Sequence, residues 1–267
     1  MDENKFAYGS GQGITVIKRG NKSGVQKHGS HNQKTHGGKG GGGGEASADA
    51  VRAVNDESFR EANDWNKYNV NDRKKLTDSY DQQYAENTDE NVSGEFEVEN
   101  YATSGYFDIN RAARGVEPSN PSIENKISVL DKTIEESPDM FGDTNLYRVT
   151  SDRLLADLEP GDTFVDKGFM STTRINLTKN ASARNALGEI GSGVDSVTVI
   201  LPSPSKSGKG LAVDTFLTSR GQDGSGQFWG KEKEVLLPRD TALLFLGMST
   251  STDHQGKPIA IFQRMDN

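Results

Sequence analysis

The stretch GKEKEVLLP, Gly230 to Pro238, sets two acids, Glu232 and Glu234, at the mouth of an apolar run, Val235 to Leu237. β-Formers bounded by glycine on one side and proline on the other predict a short buried strand. Side chains two apart on a strand point the same way, so the two carboxylates are expected to converge. Like charges on one face repel by about 1 kcal/mol or more near a surface. Stability gains nothing from that arrangement. Chemistry does, where one acid stabilises a developing positive charge and the other takes a proton.

Around this strand the second half of the chain repeats the pattern. NLYRVT, TFVDKGFMSTT, DSVTVILP, KGLAVDTF, TALLFLGMS and KPIAIFQR all read as short strands bounded by Gly, Pro and Asp. Between them only SDRLLADL and TKNASARNALGEI read as helix. The half before Phe141 is helical. In NPSIENKISVLDKTIEESP, Asn120 caps, Pro121 suits the first helical position, Ile123, Ile127, Leu130 and Ile134 share a face, and Pro138 closes the helix. Leu76, Tyr80 and Tyr84 recur at helical spacing, and FDINRAARG, with Asn110, Arg111 and Arg114, is a short helix ended by Gly115. Helices first and mostly antiparallel strands second predict an α+β fold, not a doubly wound sheet.

Residues 1–44 have a different composition. Thirteen of the 30 glycines fall within residues 1–45, and such a segment buries too little apolar area to offset its ordering entropy. It is expected to be a flexible basic arm, with seven Lys or Arg against Asp2 and Glu3, ahead of a single domain over 45–267 (helical over 45–140, β-rich over 141–267). Three histidines, His28, His31 and His36, cluster there. Without cysteine or a rigid acidic scaffold they make a poor metal site, so no metal is expected. The whole chain carries 31 Lys and Arg against 39 Asp and Glu, a net charge of -8, which argues against a nucleic-acid coat. With no cysteine, disulfides and thiolate catalysis are excluded. No apolar run is long enough to span a bilayer and no secretory leader is evident, so no membrane partner is expected.

Nucleotide-loop signatures are also missing. SKSGKG lacks the spacing of a phosphate loop, and His254, the one histidine of the folded half, has no nucleophile elbow before it. The remaining chemistry belongs to arginine, hydroxyls and carboxylates. Arg148 lies inside a strand, where its fork suits a phosphate or, alternatively, an internal salt bridge. GFMSTT sets Ser171, Thr172 and Thr173 at a strand end, with Ser171 and Thr173 on one face. Phe228 and Trp229, just ahead of the paired acids, suggest a docking surface or a plug over the core.

Tyr147-Arg148, then Phe169-x-Ser171-Thr172-Thr173, then Glu232-x-Glu234, in that order, resemble the ADP-ribosyltransferases of the arginine-modifying toxin class. YATSGYFDINRAARG, residues 101–115, is similar to the helix that precedes the first motif, with Ala113 where leucine is common. The resemblance covers roughly residues 70–265. It implies a cleft between two roughly perpendicular sheets backed by helices, with NAD as substrate. It further implies that Arg148 and Tyr147 bind NAD, Ser171 orients Glu234, and Thr172 and Thr173 shape the nicotinamide side. Glu234 would stabilise the cation left by departing nicotinamide, and Glu232, with Phe228 and Trp229, would select a protein arginine as acceptor. A second string, KHGSHNQKTHGG over residues 27–38, resembles a motif of structural proteins of tailed bacteriophages. It implies a phage origin, virion proteins as further partners, and action in the virion or the bacterial cytoplasm. Two alternatives stay open: a virion protein using the domain as scaffold, and an NAD glycohydrolase with water as acceptor.

Overall fold

In this computed structural model the described residues are 13–19, 48–86, 94–139, 142–180, 182–183, 195–222 and 228–266. The histidine cluster, the loop 223–227, most of TKNASARNALGEI and the side chains of Phe228 and Trp229 lie outside them.

The first half is helical: α1 (Ala48–Asn55), α2 (Glu57–Glu61), a 3-10 turn (Trp65–Lys67), α3 (Val70–Glu86), α4 (Gly94–Asn100), a π-helical turn (Tyr101–Gly105), α5 (Tyr106–Ala113) and α6 (Pro121–Glu136). Helix α6 forms as its sequence dictates. The Asn120 side chain accepts from the backbone N–H groups of Ser122 and Ile123, Pro121 follows, and Leu130 and Ile134 are buried. Helix α5 ends before Gly115, whose φ of 70° suits glycine.

The strands are β1 (Ile14–Ile17), β2 (Leu146–Ser151), β3 (Thr163–Asp166), β4 (Met170–Thr173), β5 (Asp195–Leu201), β6 (Leu211–Ala212), β7 (Glu234–Leu237), β8 (Thr241–Thr252) and β9 (Pro258–Arg264). The short helices α7 (Asp152–Leu155), α8 (Val213–Ser219) and α9 (Phe228–Glu232) lie among them. The fold is the expected α+β, and every strand pair except the parallel β5–β9 is antiparallel.

The expected pair of sheets is one hydrogen-bonded sheet, ordered β1-β3-β8-β9-β5-β2-β4-β7-β6. Its narrowest joint is β2–β4, where a single register pair, Tyr147 with Thr173, links the two parts. Alternation gives the central strands two buried faces. Ile200, Ala260 and Phe262 belong to one core with Ile109, Leu130 and Ile134 from the helices, while Val197, Val199, Ile259 and Ile261 belong to another with Ala53 and Val54 of α1.

Three sequence expectations are corrected. Residues 14–17, assigned to the arm, form the edge strand β1 on β3, because Ile14 and Val16 alternate inward within an otherwise glycine-rich stretch. KGLAVDTF is strand only at Leu211–Ala212. Val213, Phe216 and Leu217, at helical i, i+3, i+4 spacing, then bury the face of α8. TFVDKGFMSTT is two strands broken at Lys167–Phe169, where Gly168 lets Asn110 and Arg114 approach. A Cβ at that glycine would sit 2.8 Å from the Asn110 oxygen and 2.9 Å from the Arg114 Nε.

Candidate active site

Three motifs distant in sequence occupy neighbouring strands. Tyr147 of β2 pairs with Thr173 of β4, and Thr173 pairs with Glu234 of β7. One row therefore crosses the first, second and third motifs. Adjacent strands lie about 4.8 Å apart, so the row spans about 10 Å from β2 to β7. Cross-strand partners share a face, which places Ser171, Thr173 and Glu234 on one side of β4–β7, with Ser171 diagonal to Glu234.

Each side chain has its own environment. Ser171 and Glu234 are both 0% exposed and Arg148 is 2% exposed. Burying a guanidinium such as that of Arg148 costs several kcal/mol before compensation. Arg148 borders a small void with Thr150, Leu155, Phe164, Thr198 and Phe262. Tyr147, next in sequence, points to the opposite side of β2 from Arg148, the side of its register partner Thr173. Its ring joins the second core and its hydroxyl donates to Asp64 Oδ2 at 2.8 Å, so β2 separates it from Arg148. Burial, and then the charge of Asp64, push the Tyr147 hydroxyl well above its ordinary pKa. Thr172 alternates away from Ser171 and Thr173 and donates to the Val235 carbonyl at 2.6 Å. Thr173 donates to the Glu232 carbonyl at 2.6 Å and accepts from the Ile175 N–H at 3.0 Å, so its hydroxyl fastens β4 to the segment holding the acids. An open groove of about 550 Å³ begins beyond β4, lined by Ile175 and Asn176 with Asp64, Lys67 and Lys179.

Strand alternation does not hold across the paired acids. Glu232 ends α9, Lys233 takes a left-handed conformation with φ 49°, and only Glu234 opens β7. The two carboxylates are aimed by a turn. Glu234 is buried, whereas Glu232 is half-buried at the rim. One acid is thus wholly shielded from water and the other only in part, with the Oε2 oxygen of Glu232 itself covered. The backbone of Phe228 and Trp229 begins α9.

Further residues build the site. Tyr101, wholly buried in the π-helical turn, lies 3.3 Å from Ser171 Oγ and accepts from Asn110 Nδ2 at 2.9 Å. The Asn110 oxygen accepts from the Phe169 N–H at 2.8 Å, and Arg114 grips Asp166 with two hydrogen bonds of 2.9 Å. Helix α5 therefore holds the turn leading into Ser171. Burial, followed by the charge of Glu234, raises the Tyr101 pKa, which places that hydroxyl within the field of Glu234. The sequence signals for this support were the i, i+4 spacing of Asn110 and Arg114 and the resemblance over residues 101–115, which begins at Tyr101 but gave it no role. Among the described residues no group of three or more His, Asp or Glu side chains is arranged to hold a metal ion.

A family model described as ADP-ribosyltransferase exoenzyme matches residues 62–261. Among solved structures, the chain is similar to the ADP-ribosyltransferase Vis of Vibrio splendidus in complex with an inhibitor, at 14% identity and a TM-score of 0.50, covering 82% of this chain and 90% of that one. It is also similar to Plx2a, an ADP-ribosyltransferase toxin from Paenibacillus larvae, at 15% identity and a TM-score of 0.50, covering 72% and 94%. Comparison with the curated proteins finds no match.

Proposed function

The chain belongs to the ADP-ribosyltransferase exoenzyme family, with NAD as its substrate, and from that premise we propose that it transfers ADP-ribose to arginine side chains of a protein partner. The observation that carries this reading is the unequal pair: buried Glu234 and, one left-handed residue earlier, half-buried Glu232.

Arg148 binds the NAD phosphates through its planar fork. Because Arg148, Ser171 and Glu234 are buried, NAD reaches them only as the residues covering them shift. The bond between ribose C1′ and the nicotinamide nitrogen then breaks, and nicotinamide leaves with the electron pair. Glu234, oriented by Ser171, stabilises the positive charge left on the ribose. A fixed charge in a water-excluded site is most effective at this task. An arginine nitrogen attacks C1′ and forms the new C–N bond. A guanidinium has a pKa above about 12, so its nucleophilicity depends on losing a proton as it attacks. Glu232 at the rim binds the incoming cation and accepts that proton. The segment around Phe228 and Trp229 receives the partner protein.

The phage-like string over residues 27–38 supports a virion-associated protein acting on bacterial host proteins. Among the described residues no helix is long and apolar enough to cross a membrane.

The test is incubation with NAD and a synthetic peptide whose one reactive side chain is arginine. The expected result is a mass increase of one ADP-ribose located on that arginine. Nicotinamide release at the same rate with or without the peptide, and no modified peptide, would instead establish a glycohydrolase. No NAD turnover at all would establish a scaffold.

A further inference from the structure

Asp214, on the first turn of α8, is buried at 7% exposure. Its Oδ2 accepts from Arg174 Nη2 at 2.7 Å and from Lys233 Nζ at 3.0 Å. These two cations sit at informative positions. Arg174 directly follows the Ser171-Thr172-Thr173 motif and stacks 5.4 Å from the Trp65 ring centre. Lys233 separates the two acids. One carboxylate therefore ties the end of the second motif to the middle of the third.

Lys233 needs such a tie. Its φ of 49° lies in the left-handed region, which side chains with a Cβ disfavour. Strained conformations persist where their surroundings over-determine them. Here three contacts do so: the Asp214 ion pair, the Arg174 N–H donating to the Lys233 carbonyl at 3.3 Å, and the Thr173 hydroxyl on the Glu232 carbonyl at 2.6 Å. The left-handed turn is also what ends α9 and redirects Glu232 away from the line of β7. Lys233 is 44% exposed along its side chain, so general stability gains little from the pair.

We propose that Asp214 is a positioning residue for Glu232, holding the Lys233 turn so that Glu232 meets the acceptor while Glu234 meets the ribose. This inference rests on the assignment of Glu232 to the acceptor made above. A misplacement of about 1 Å in such a group costs on the order of a hundredfold in rate. Hydrolysis of NAD, which uses water as acceptor, does not require Glu232 at that place.

The experiment measures the ratio of arginine-peptide transfer to NAD hydrolysis in purified full-length variants. Asp214→Asn keeps the shape and removes the charge, and should lower that ratio by on the order of tenfold. A purely structural role would reduce both activities together and leave the ratio at its wild-type value, which overturns the proposal. A second variant fixes the route. Glycine adopts the left-handed conformation freely, so in a Lys233→Gly background Asp214→Asn should change the ratio far less than in the wild type. An undiminished effect in that background would mean that Asp214 acts through Arg174 alone, and the proposal fails. Glu232→Ala separates the two layers. A ratio lowered by Glu232→Ala but not by Asp214→Asn overturns this inference alone, whereas a ratio unmoved by Glu232→Ala removes the assignment of Glu232 and this inference with it.

Discussion

Among the described residues Arg148 is one of the largest fully buried side chains, and in the proposed reaction its planar fork grips the NAD phosphates as a lysine would not. A point charge on a flexible stem makes no bidentate contact with a phosphate. Arg148→Lys should raise the KM for NAD by on the order of tenfold, in keeping with the loss of one charge-assisted hydrogen bond. Thermal unfolding, measured alongside, shows whether the fold persists. A folded variant with the wild-type KM would remove Arg148 from NAD binding. At the same scale, the hydroxyls divide by face. Thr172 is engaged with the Val235 carbonyl, and Thr173 and Ser171 lie on the side of Glu234. The alternation read from GFMSTT is what the strand delivers. The alternation read from Glu232 and Glu234 is not, because a single residue with positive φ intervenes. Nothing local in GKEKEVLLP marks Lys233 for that conformation; its partner Asp214 comes from another helix.

Among the elements, those with local punctuation were legible. Helix α6 carries its cap, its proline and its apolar face within one stretch, and it forms where these place it. Helix α8 was not legible, since a short apolar run fits a strand or a helix equally until its burial is known. Strand β1 was hidden by the glycines around it, and what defines it lies elsewhere in the chain. Ile14 to Ile17 pair with Thr163 to Asp166, and just beyond them Lys18 Nζ reaches Asp162 at 2.9 Å. Burial alone would raise the Asp162 carboxyl. Lys18 and the backbone N–H groups of Glu159 and Arg19 overcome it and hold the pKa below its ordinary value of 3.8. A depressed carboxylate stabilises the folded form above the unfolded pKa, and that contribution is lost as pH falls through the folded pKa. Asp162→Asn should therefore accelerate amide exchange at residues 14–17 severalfold at neutral pH, and should remove the loosening of β1 that acid produces in the wild type. Identical exchange in both proteins would show that β1 is held by its ladder alone.

For the molecule as a whole, a single sheet with a one-pair joint brings the arginine, hydroxyl and acid strands side by side. Helices cover both faces and supply Tyr101, Asn110 and Arg114 as support. At 14–15% identity to Vis and Plx2a the fold is shared while most of the sequence is not. The order of three short motifs therefore told more about the fold than composition did. The division of tasks between the paired acids is tested by assaying Glu232→Ala and Glu234→Ala side by side for NAD cleavage and for transfer to an arginine peptide. Glu234→Ala should lose both activities by roughly 100-fold or more, as removal of one electrostatic stabiliser does. Glu232→Ala should lose transfer while still releasing nicotinamide. Equal losses in both assays for both variants would mean that the two acids share one task.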